Sequence, residues 1–435
     1  MRAVIGTVLA AALLASGCME RATLPLVSSV GPDPTLPLPT TTLIPTVKVA
    51  EALGWPAEGK PLAASGLRVT AFATGLQHPR WVYVLPNGDV LVAEAAAPPR
   101  PEEGKGVKAK VMGMFMKKAG SAVPSANRIT LLRDVNGDGT PEIRTVLLEG
   151  LNSPFGIALV GNDLYVANAD AIVRFPYKEG DTKITVAGTK VTDLPGGPRN
   201  HHWTKNILAS PDGRKLYATV GSNSNAAEHG MAEEEGRAAI WEVDLATGTK
   251  RLFASGLRNP NGLGWEPRSG KLWTVVNERD ELGSDLVPDY LTSVREGGFY
   301  GWPYSCYGSH VDTRVQPPRP DLVAQAIKPD YALGNHVAPL GLAFSSGGAL
   351  GAAFTSGAFI GQHGSWNRRP PNGYNVVFVP FANGTPSGLP IEVLKGFLSS
   401  DGKAYGRPVG VAMDKRGALL VADDVGNTVW RVTGS

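Results

Sequence analysis

The sequence predicts an all-β fold, a six-bladed β-propeller with four-stranded blades. Three observations predict it. Glycine (53) and proline (35) make up about a fifth of the 435 residues. That suits short strands joined by tight turns and argues against a helical bundle. A pattern of Pro-x-Gly or a variant, a short apolar strand, a turn and a second alternating strand recurs six times. The copies lie about 50–90 residues apart, which leaves room for four strands per unit around a central channel.

The copies follow one another along the chain. The first is Pro79-Arg80-Trp81 with Asn87-Gly88-Asp89-Val90-Leu91-Val92-Ala93, and the second is Pro154-Phe155-Gly156 with Leu164-Tyr165-Val166-Ala167. The third is a variant, His202-Trp203 with Pro211-Asp212-Gly213 and Leu216-Tyr217-Ala218-Thr219. Pro260-Asn261-Gly262, Pro339-Leu340-Gly341 and Pro408-Val409-Gly410 open the last three. Alternation at period two, bounded by Asn-Gly, Asp-Gly or Arg-Gly, is what hairpins require. Ring closure is expected between Leu67–Ala73 and the last strand, Val429–Val432. The propeller is assigned to residues 61–435. Residues 98–126 interrupt the rhythm as an inserted loop, with an apolar patch Val111–Phe115 ending in Met116-Lys117-Lys118. This stretch reads as ordinary loop packing, with a helix lying over the channel mouth or against a membrane as the alternative. Residues 279–335 form a second excursion.

Residues 1–18 read as an export signal. Ala3–Ala15 is apolar and too short to span a bilayer, and Leu14-Ala15-Ser16-Gly17-Cys18 is similar to a lipoprotein cleavage site. Lipidation of Cys18 and a periplasmic or outer-surface location are expected, with plain secretion as the alternative. Residues 19–60 carry Pro32, Pro34, Pro37, Pro39 and Pro45 with little charge. That composition suits an extended tether. The 42 basic and 39 acidic residues leave a net charge of +3, with no basic run of the kind that tracks nucleic acid, so no nucleic-acid partner is expected. Two cysteines cannot build a disulfide scaffold or a Cys-rich metal site. Cys306 is expected to pack as a small hydrophobe.

Candidate chemistry lies where repeats begin, because inner strand ends of a propeller converge on the channel. Arg80, Arg258 and Arg407 open the first, fourth and sixth copies. Arginine forks suit carboxylates, so the channel is expected to take a polyanionic small molecule. His201-His202 opens the third copy. Two loops are rich in oxygen ligands. Asn277–Asp285 follows the fourth-copy strand. Asp134-Val135-Asn136-Gly137-Asp138-Gly139 has oxygens at positions 1, 3 and 5 and a glycine at 6, as calcium loops do, against the alternative of a plain Asp/Asn/Gly turn.

Three segments carry a resemblance: Gly256-Leu257-Arg258-Asn259-Pro260-Asn261-Gly262-Leu263, Gly297-Gly298-Phe299-Tyr300-Gly301-Trp302-Pro303, and His202 with Pro211-Asp212-Gly213. Over residues 65–433 the chain resembles the soluble PQQ-dependent (pyrroloquinoline quinone) sugar dehydrogenases. Asn277–Tyr290 is most similar to the L-sorbosone dehydrogenase branch. The resemblance implies PQQ and calcium as cofactors, an aldose or sugar aldehyde as substrate, and an external electron acceptor. It places the general base at His202, with Arg258 beside the reactive carbonyl. Arg258, Asn259, Asn277, Arg80, His336 and Arg407 are implied to contact PQQ. The backbone carbonyls of Glu278 and Arg279 are implied to hold calcium, with Asp134, Asn136 and Asp138 as a separate calcium loop. Three positions depart from the family. Its base-orienting aspartate falls on Ser222, its substrate glutamine has no counterpart near Leu151-Asn152, and His336 stands at a cofactor-contacting threonine. A non-catalytic binding propeller and a calcium-centred lactonase-type hydrolase are the alternatives.

Overall fold

The computed structural model describes residues 20–40, 42, 46–101 and 113–435. Within them, six antiparallel sheets form the six blades. The strand next to the channel is Pro79–Val84 in blade 1, Ile157–Val160 in blade 2, Ile207–Ala209 in blade 3, Asn259–Trp265 in blade 4, Pro339–Phe344 in blade 5 and Pro408–Met413 in blade 6. These are the strands at the repeat starts. The ring closes where Leu67–Ala73 pairs antiparallel with Thr428–Gly434, with Val69 opposite Val432. One blade is thus built from an early and a late segment of the chain, which ties the ring shut.

The glycine that opens four of the six repeats has a steric cause. A β-carbon on Gly156 would lie 2.4 Å from the Ile207 amide nitrogen, one on Gly262 2.6 Å from that of Leu342, and one on Gly341 2.3 Å from the Val409 carbonyl. On Gly410 it would lie 2.9 Å from the Arg80 carbonyl. Adjacent inner strands therefore approach backbone to backbone, and only glycine fits. Between blades the faces interlock through aromatic and aliphatic side chains. Trp81, Phe155 and Trp203 pack in series across blades 1 to 3, with ring centroids 5.1 and 6.3 Å apart.

Three blades gain a fifth strand. Gly298–Phe299 runs parallel to the outer strand of blade 3, Val30–Gly31 adds to blade 4, and Leu62–Ala63 adds to blade 5. The first carries the Tyr300-Gly301-Trp302 segment up to the channel mouth, where the Trp302 indole donates to the Asn225 carbonyl at 2.9 Å.

One expectation about the flanks is corrected. The stretch expected as an extended tether is, over its described residues, a strap packed on the propeller. The Glu20 carboxylate accepts from the Ser284 amide and hydroxyl at 2.9 and 2.6 Å. Ala50 is buried, and the Trp55 indole donates to Asp423 at 2.7 Å. In the insert, residues 113–118 form a short helix, and the Lys118 carbonyl accepts from the strap at Ala52. The signal segment, including Cys18, and the start of the apolar patch at Val111-Met112 lie outside the described residues.

Gly341→Ala tests the backbone contact. It should destabilise the protein by about 1–3 kcal/mol through overpacking. Gly113→Ala, where a β-carbon meets nothing within 4 Å, should stay within about 0.5 kcal/mol of wild type. Urea denaturation of the two variants measures the contrast.

Candidate functional site at the channel mouth

The two ends of the channel differ chemically. The far end holds a cavity of about 300 Å³ lined by groups such as Trp81, Leu263, Phe344 and Met413, with no carboxylate, histidine or cationic side chain. At the other end the inner strands begin and the loops after each second strand project. Arg80, Arg258, Asn259, Asn277, His202, His336 and Arg407 all belong to this mouth.

His202 is held by one neighbouring loop. Its Nδ1 lies 2.8 Å from the Ser222 carbonyl and 3.0 Å from the Ser222 hydroxyl oxygen. A carbonyl only accepts, so Nδ1 carries the proton and the Nε2 lone pair is left as a base. Ser222 in turn donates to the Ser224 carbonyl at 2.7 Å. The loop is anchored from below by buried Glu234, which accepts from the Asn223 amide at 2.6 Å and from the Ser224 hydroxyl. Burial, then the neighbouring His201 and the Arg258 charge, push the His202 imidazole well below the ordinary histidine value. His201 is exposed and meets the His202 ring edge-on at 4.7 Å. Lys205, buried and absent from sequence reasoning, donates to the His202 and Trp203 carbonyls at 3.2 and 3.1 Å and fixes their turn.

Arg258 is not a free fork. It donates to the Asn225 carbonyl (3.2 Å) and side-chain oxygen (3.1 Å), the Glu278 carbonyl (2.6 Å) and the Asp280 carboxylate (2.9 Å). These partners come from loops that the repeat does not encode. Asp280 also accepts from Asn367 at 2.7 Å and lies 3.7 Å from His336. Burial opposes ionisation of Asp280, but Arg258 and His336 win and hold it below the ordinary carboxylate range. His336 bonds the Gly283 carbonyl through Nε2 at 2.9 Å, and burial is outweighed by Asp280, so its pKa rises. Beneath them, burial pushes Asp289 up to about 7, although it accepts the Glu278 and Ala338 amides, each at 2.7 Å.

Of the two expected calcium carbonyls, one is already engaged. That of Glu278 already receives Arg258, and a guanidinium 2.6 Å away opposes a divalent cation at that oxygen. The Arg279 side chain points away from the mouth into an ion pair with Asp312 and a contact with the Pro303 carbonyl. The Asn277 side-chain amide is engaged within the mouth, donating to the Pro339 carbonyl at 2.7 Å. The Asp134 loop sits at the far end, in the outer hairpin of blade 1. Asp134, Asp138 and Glu142 bring carboxylate oxygens within 4.8 Å of one another, and Asn136 donates to Asp138 at 3.1 Å.

Sequence reasoning missed a second cluster, around Asp424. Its carboxylate accepts from Arg80 and from His363 at 2.9 Å, and the His78 Nε2 lies 3.7 Å away. Burial alone would raise Asp424, but these three neighbours hold it far below the ordinary range. Burial pushes His363 down to about 4. Arg80 also lies over the Phe155 and Trp203 rings, and Arg407 over Tyr374 at 5.1 Å. Buried polar atoms remain without partners here: Arg80 Nε, Arg407 Nε, Asn259 Oδ1, Asn367 Oδ1 and Asp424 Oδ1. Such atoms are costly unless water or a ligand meets them. His78, just before Arg80, was legible as a neighbour of a repeat start; Asp424 and His363 come from loops of two other blades.

Asp424→Ala should destabilise the fold by about 3–5 kcal/mol, because it leaves buried Arg80 without its counter-charge. Asp424→Asn, which keeps one acceptor, should cost less. Denaturation midpoints of both variants check the order.

The family model described as TrAA12-like matches residues 121–306 and 321–435. A PQQ-dependent sugar dehydrogenase of Hypocrea jecorina is 24% identical over 425 residues, covering 84% of this chain and 87% of that protein. A PQQ-dependent pyranose dehydrogenase of Coprinopsis cinerea is 24% identical over 361 residues, covering 73% of this chain; the match spans 44% of that protein. Among solved structures, the holo form of the pyranose dehydrogenase PQQ domain from Coprinopsis cinerea has a TM-score of 0.68 at 21% identity, covering 86% of this chain and 97% of that one. A calcium structure of the Trichoderma reesei Carbohydrate-Active Enzymes Family AA12 protein has a TM-score of 0.69 at 20% identity, covering 90% and 99%. At these identities the structural likenesses establish the propeller fold.

Proposed function

The chain belongs to the TrAA12-like family, and on that premise we propose that it is a PQQ-dependent oxidoreductase that oxidises an aldose or a sorbosone-like sugar aldehyde. The observation that carries this reading is the mouth itself. A neutral imidazole with a free Nε2 stands beside arginines and unpaired buried polar atoms. PQQ is a planar tricarboxylate, and arginine with aromatic neighbours suits such a group. Arg80, Arg407, Asn259 and Asn367 fit the role of holding it. When bound, PQQ supplies an ortho-quinone that accepts a hydride equivalent.

The chain's own residues supply the acid–base part. His202 takes the proton of the substrate hydroxyl at Nε2, while Nδ1–H stays on Ser222 and fixes the ring. Serine in place of aspartate leaves the imidazolium less stabilised, and the Arg258 charge acts in the same direction. Arg258 braces the Asn277–Asp280 loop and keeps positive potential near the reacting centre. Arg258 occupies the Glu278 carbonyl and sets that oxygen against a calcium ion.

Reconstitution tests the reading. PQQ added to the protein should bind with a shifted quinone absorbance. Arg407→Ala should weaken that binding by about 10- to 100-fold, the loss of a charge-assisted bond worth about 1.5–3 kcal/mol, with the circular dichroism unchanged. No binding at all promotes the ligand-binding propeller instead.

His202→Ala should retain PQQ but lose sugar-dependent dye reduction by about 10²–10⁴-fold, whereas His201→Ala should lose far less. The pH dependence has a definite sign. The base works when neutral, and its pKa is depressed. The acid limb of kcat/KM should therefore lie below the ordinary histidine range, so activity persists at pH values where a free imidazole is mostly protonated. A limb at the ordinary histidine value contradicts the assignment.

A further inference from the structure

We propose that Ala50 and Trp55, on the strap, are positioning residues that hold Arg407 in place for an anionic ligand at the mouth. The proposal rests on the reading above that Arg407 meets a carboxylate of the bound group. The strap reaches this arginine at both of its ends. At the backbone, the Arg407 amide donates to Asp423 at 2.7 Å, and the same carboxylate accepts the Trp55 indole at 2.7 Å. At the side chain, the guanidinium donates to the Ala50 carbonyl at 3.4 Å. Between these two contacts the strap is tied to the loop that leads into Arg407. The Ala404 amide donates to the Glu51 carbonyl at 2.7 Å, and the Leu53 amide donates to the Ala404 carbonyl at 2.8 Å. The insert braces the strap from outside, since the Ala52 amide donates to the Lys118 carbonyl at 2.9 Å.

The junction at Asp423 has no slack. Asp423 is fully buried and also accepts the Gly426 amide at 2.8 Å and the Trp430 indole at 3.0 Å. A β-carbon on Gly406 would collide with its carboxylate, and one on Gly426 would also lie 2.6 Å from the Trp55 ring. That ring stacks on Tyr405, two residues before Arg407, with centroids 5.5 Å apart. What the strap does not bring is charge. A carbonyl and the Tyr374 ring orient the guanidinium without neutralising it, and among the described residues its Nε is buried with no hydrogen-bond partner. A carboxylate in place of the Ala50 carbonyl would hold the arginine as firmly but would compete with the ligand. The mouth shows that other solution at Arg258, which Asp280 holds. Arginine carries large rotamer entropy, and ordering it before the ligand arrives removes a cost of binding.

Trp55→Phe keeps the stacked ring and removes only the indole N–H. PQQ affinity, read by absorbance titration of the full chain, should fall by about 3- to 10-fold, the loss of one buried neutral hydrogen bond. In the Arg407→Ala background the same change should cost less than about 2-fold, because an effect transmitted through Arg407 has nothing left to act on. Trp265→Phe makes the same chemical change at the far end of blade 4, where the indole donates to the Ala209 carbonyl at 2.8 Å, and should leave affinity unchanged. Hydrogen exchange reads the hold without any ligand. The Tyr405–Arg407 amides should exchange several-fold faster in Trp55→Phe and at the wild-type rate in Trp265→Phe. Leu53→Pro, which removes the bond to the Ala404 carbonyl and leaves the Asp423 junction intact, should speed the same exchange and weaken PQQ binding. Additive losses in Trp55→Phe and Arg407→Ala, unchanged affinity in Trp55→Phe, or unchanged exchange at Tyr405–Arg407 overturns the proposal. A wild type that binds no PQQ overturns the dehydrogenase reading, and the exchange contrast then decides the positioning of Arg407 by itself.

Discussion

Six inner strands converge on one axis, and at Gly156, Gly262, Gly341 and Gly410 they touch through their backbones. That crowding sets the bore of the channel, and much of the mouth follows from it. Arg80 and Asn259 sit at the starts of strands whose direction is fixed by the contact, while Arg407 immediately precedes one. Their side chains therefore meet at one end of the axis without any local sequence signal drawing them together. The same packing explains the asymmetry of the channel. Down the strands the lining side chains are mostly apolar, whereas at the strand starts they are polar and open onto loops.

Converging arginines create an electrostatic problem that the loops answer unequally. Arg258 is matched in full, by Asp280 and by three oxygens of Asn225 and Glu278. Arg80 has one oxygen of Asp424, which it shares with His363. Among the described residues the Arg407 guanidinium bonds the Ala50 carbonyl, at 3.4 Å, and rests on Tyr374. Neutralisation therefore falls from blade 4 towards blades 6 and 1. The poorly matched side is where a carboxylate ligand gains most, because its own desolvation is offset by cations that lack partners. Arg258, by contrast, acts as a brace, and its contact with the Glu278 carbonyl is what sets that oxygen against a metal ion.

What the sequence made legible follows the same division. The blades were readable because hairpins repeat at a fixed period and the glycine sits where sterics demand it. The seam between Leu67–Ala73 and the last strand was readable for the same reason. Membership of the mouth was readable for His202 and the three arginines, since each opens or immediately precedes a repeat. Their states were not. Arg258 looked like a ligand fork because Asn225 and Asp280 reach it from loops without a pattern. Asp424 and His363 lie in loops of different blades and meet only in three dimensions. The strap was misread because a proline-rich, weakly charged composition serves an extended tether and an extended chain laid on a surface alike. What separates the two is a handful of contacts, such as Trp55 on Asp423 and Glu20 on Ser284, that no composition reveals.

The buried acids and histidines around the mouth bear on stability in opposite senses, and the signs decide how the site tolerates acid. Asp423 is raised to about 6 by burial, against its four donors. Folded Asp423 thus holds protons more tightly than unfolded Asp423 between about pH 4 and 6, and this group stabilises the fold increasingly as pH falls through that window. Asp289, at about 7, does the same over a wider span. His363, lowered to about 4, works the other way. Unfolding lets it take up a proton anywhere below the ordinary histidine value of 6.5, so its contribution to stability is lost as pH falls from there to about 4. His78, lowered by burial, adds to that loss. The windows overlap, and the carboxyl and imidazole contributions offset one another. Asp424 adds a loss at lower pH. Its depressed pKa means that stability present above the unfolded carboxylate range is lost as its Arg80 and His363 pairing is titrated away.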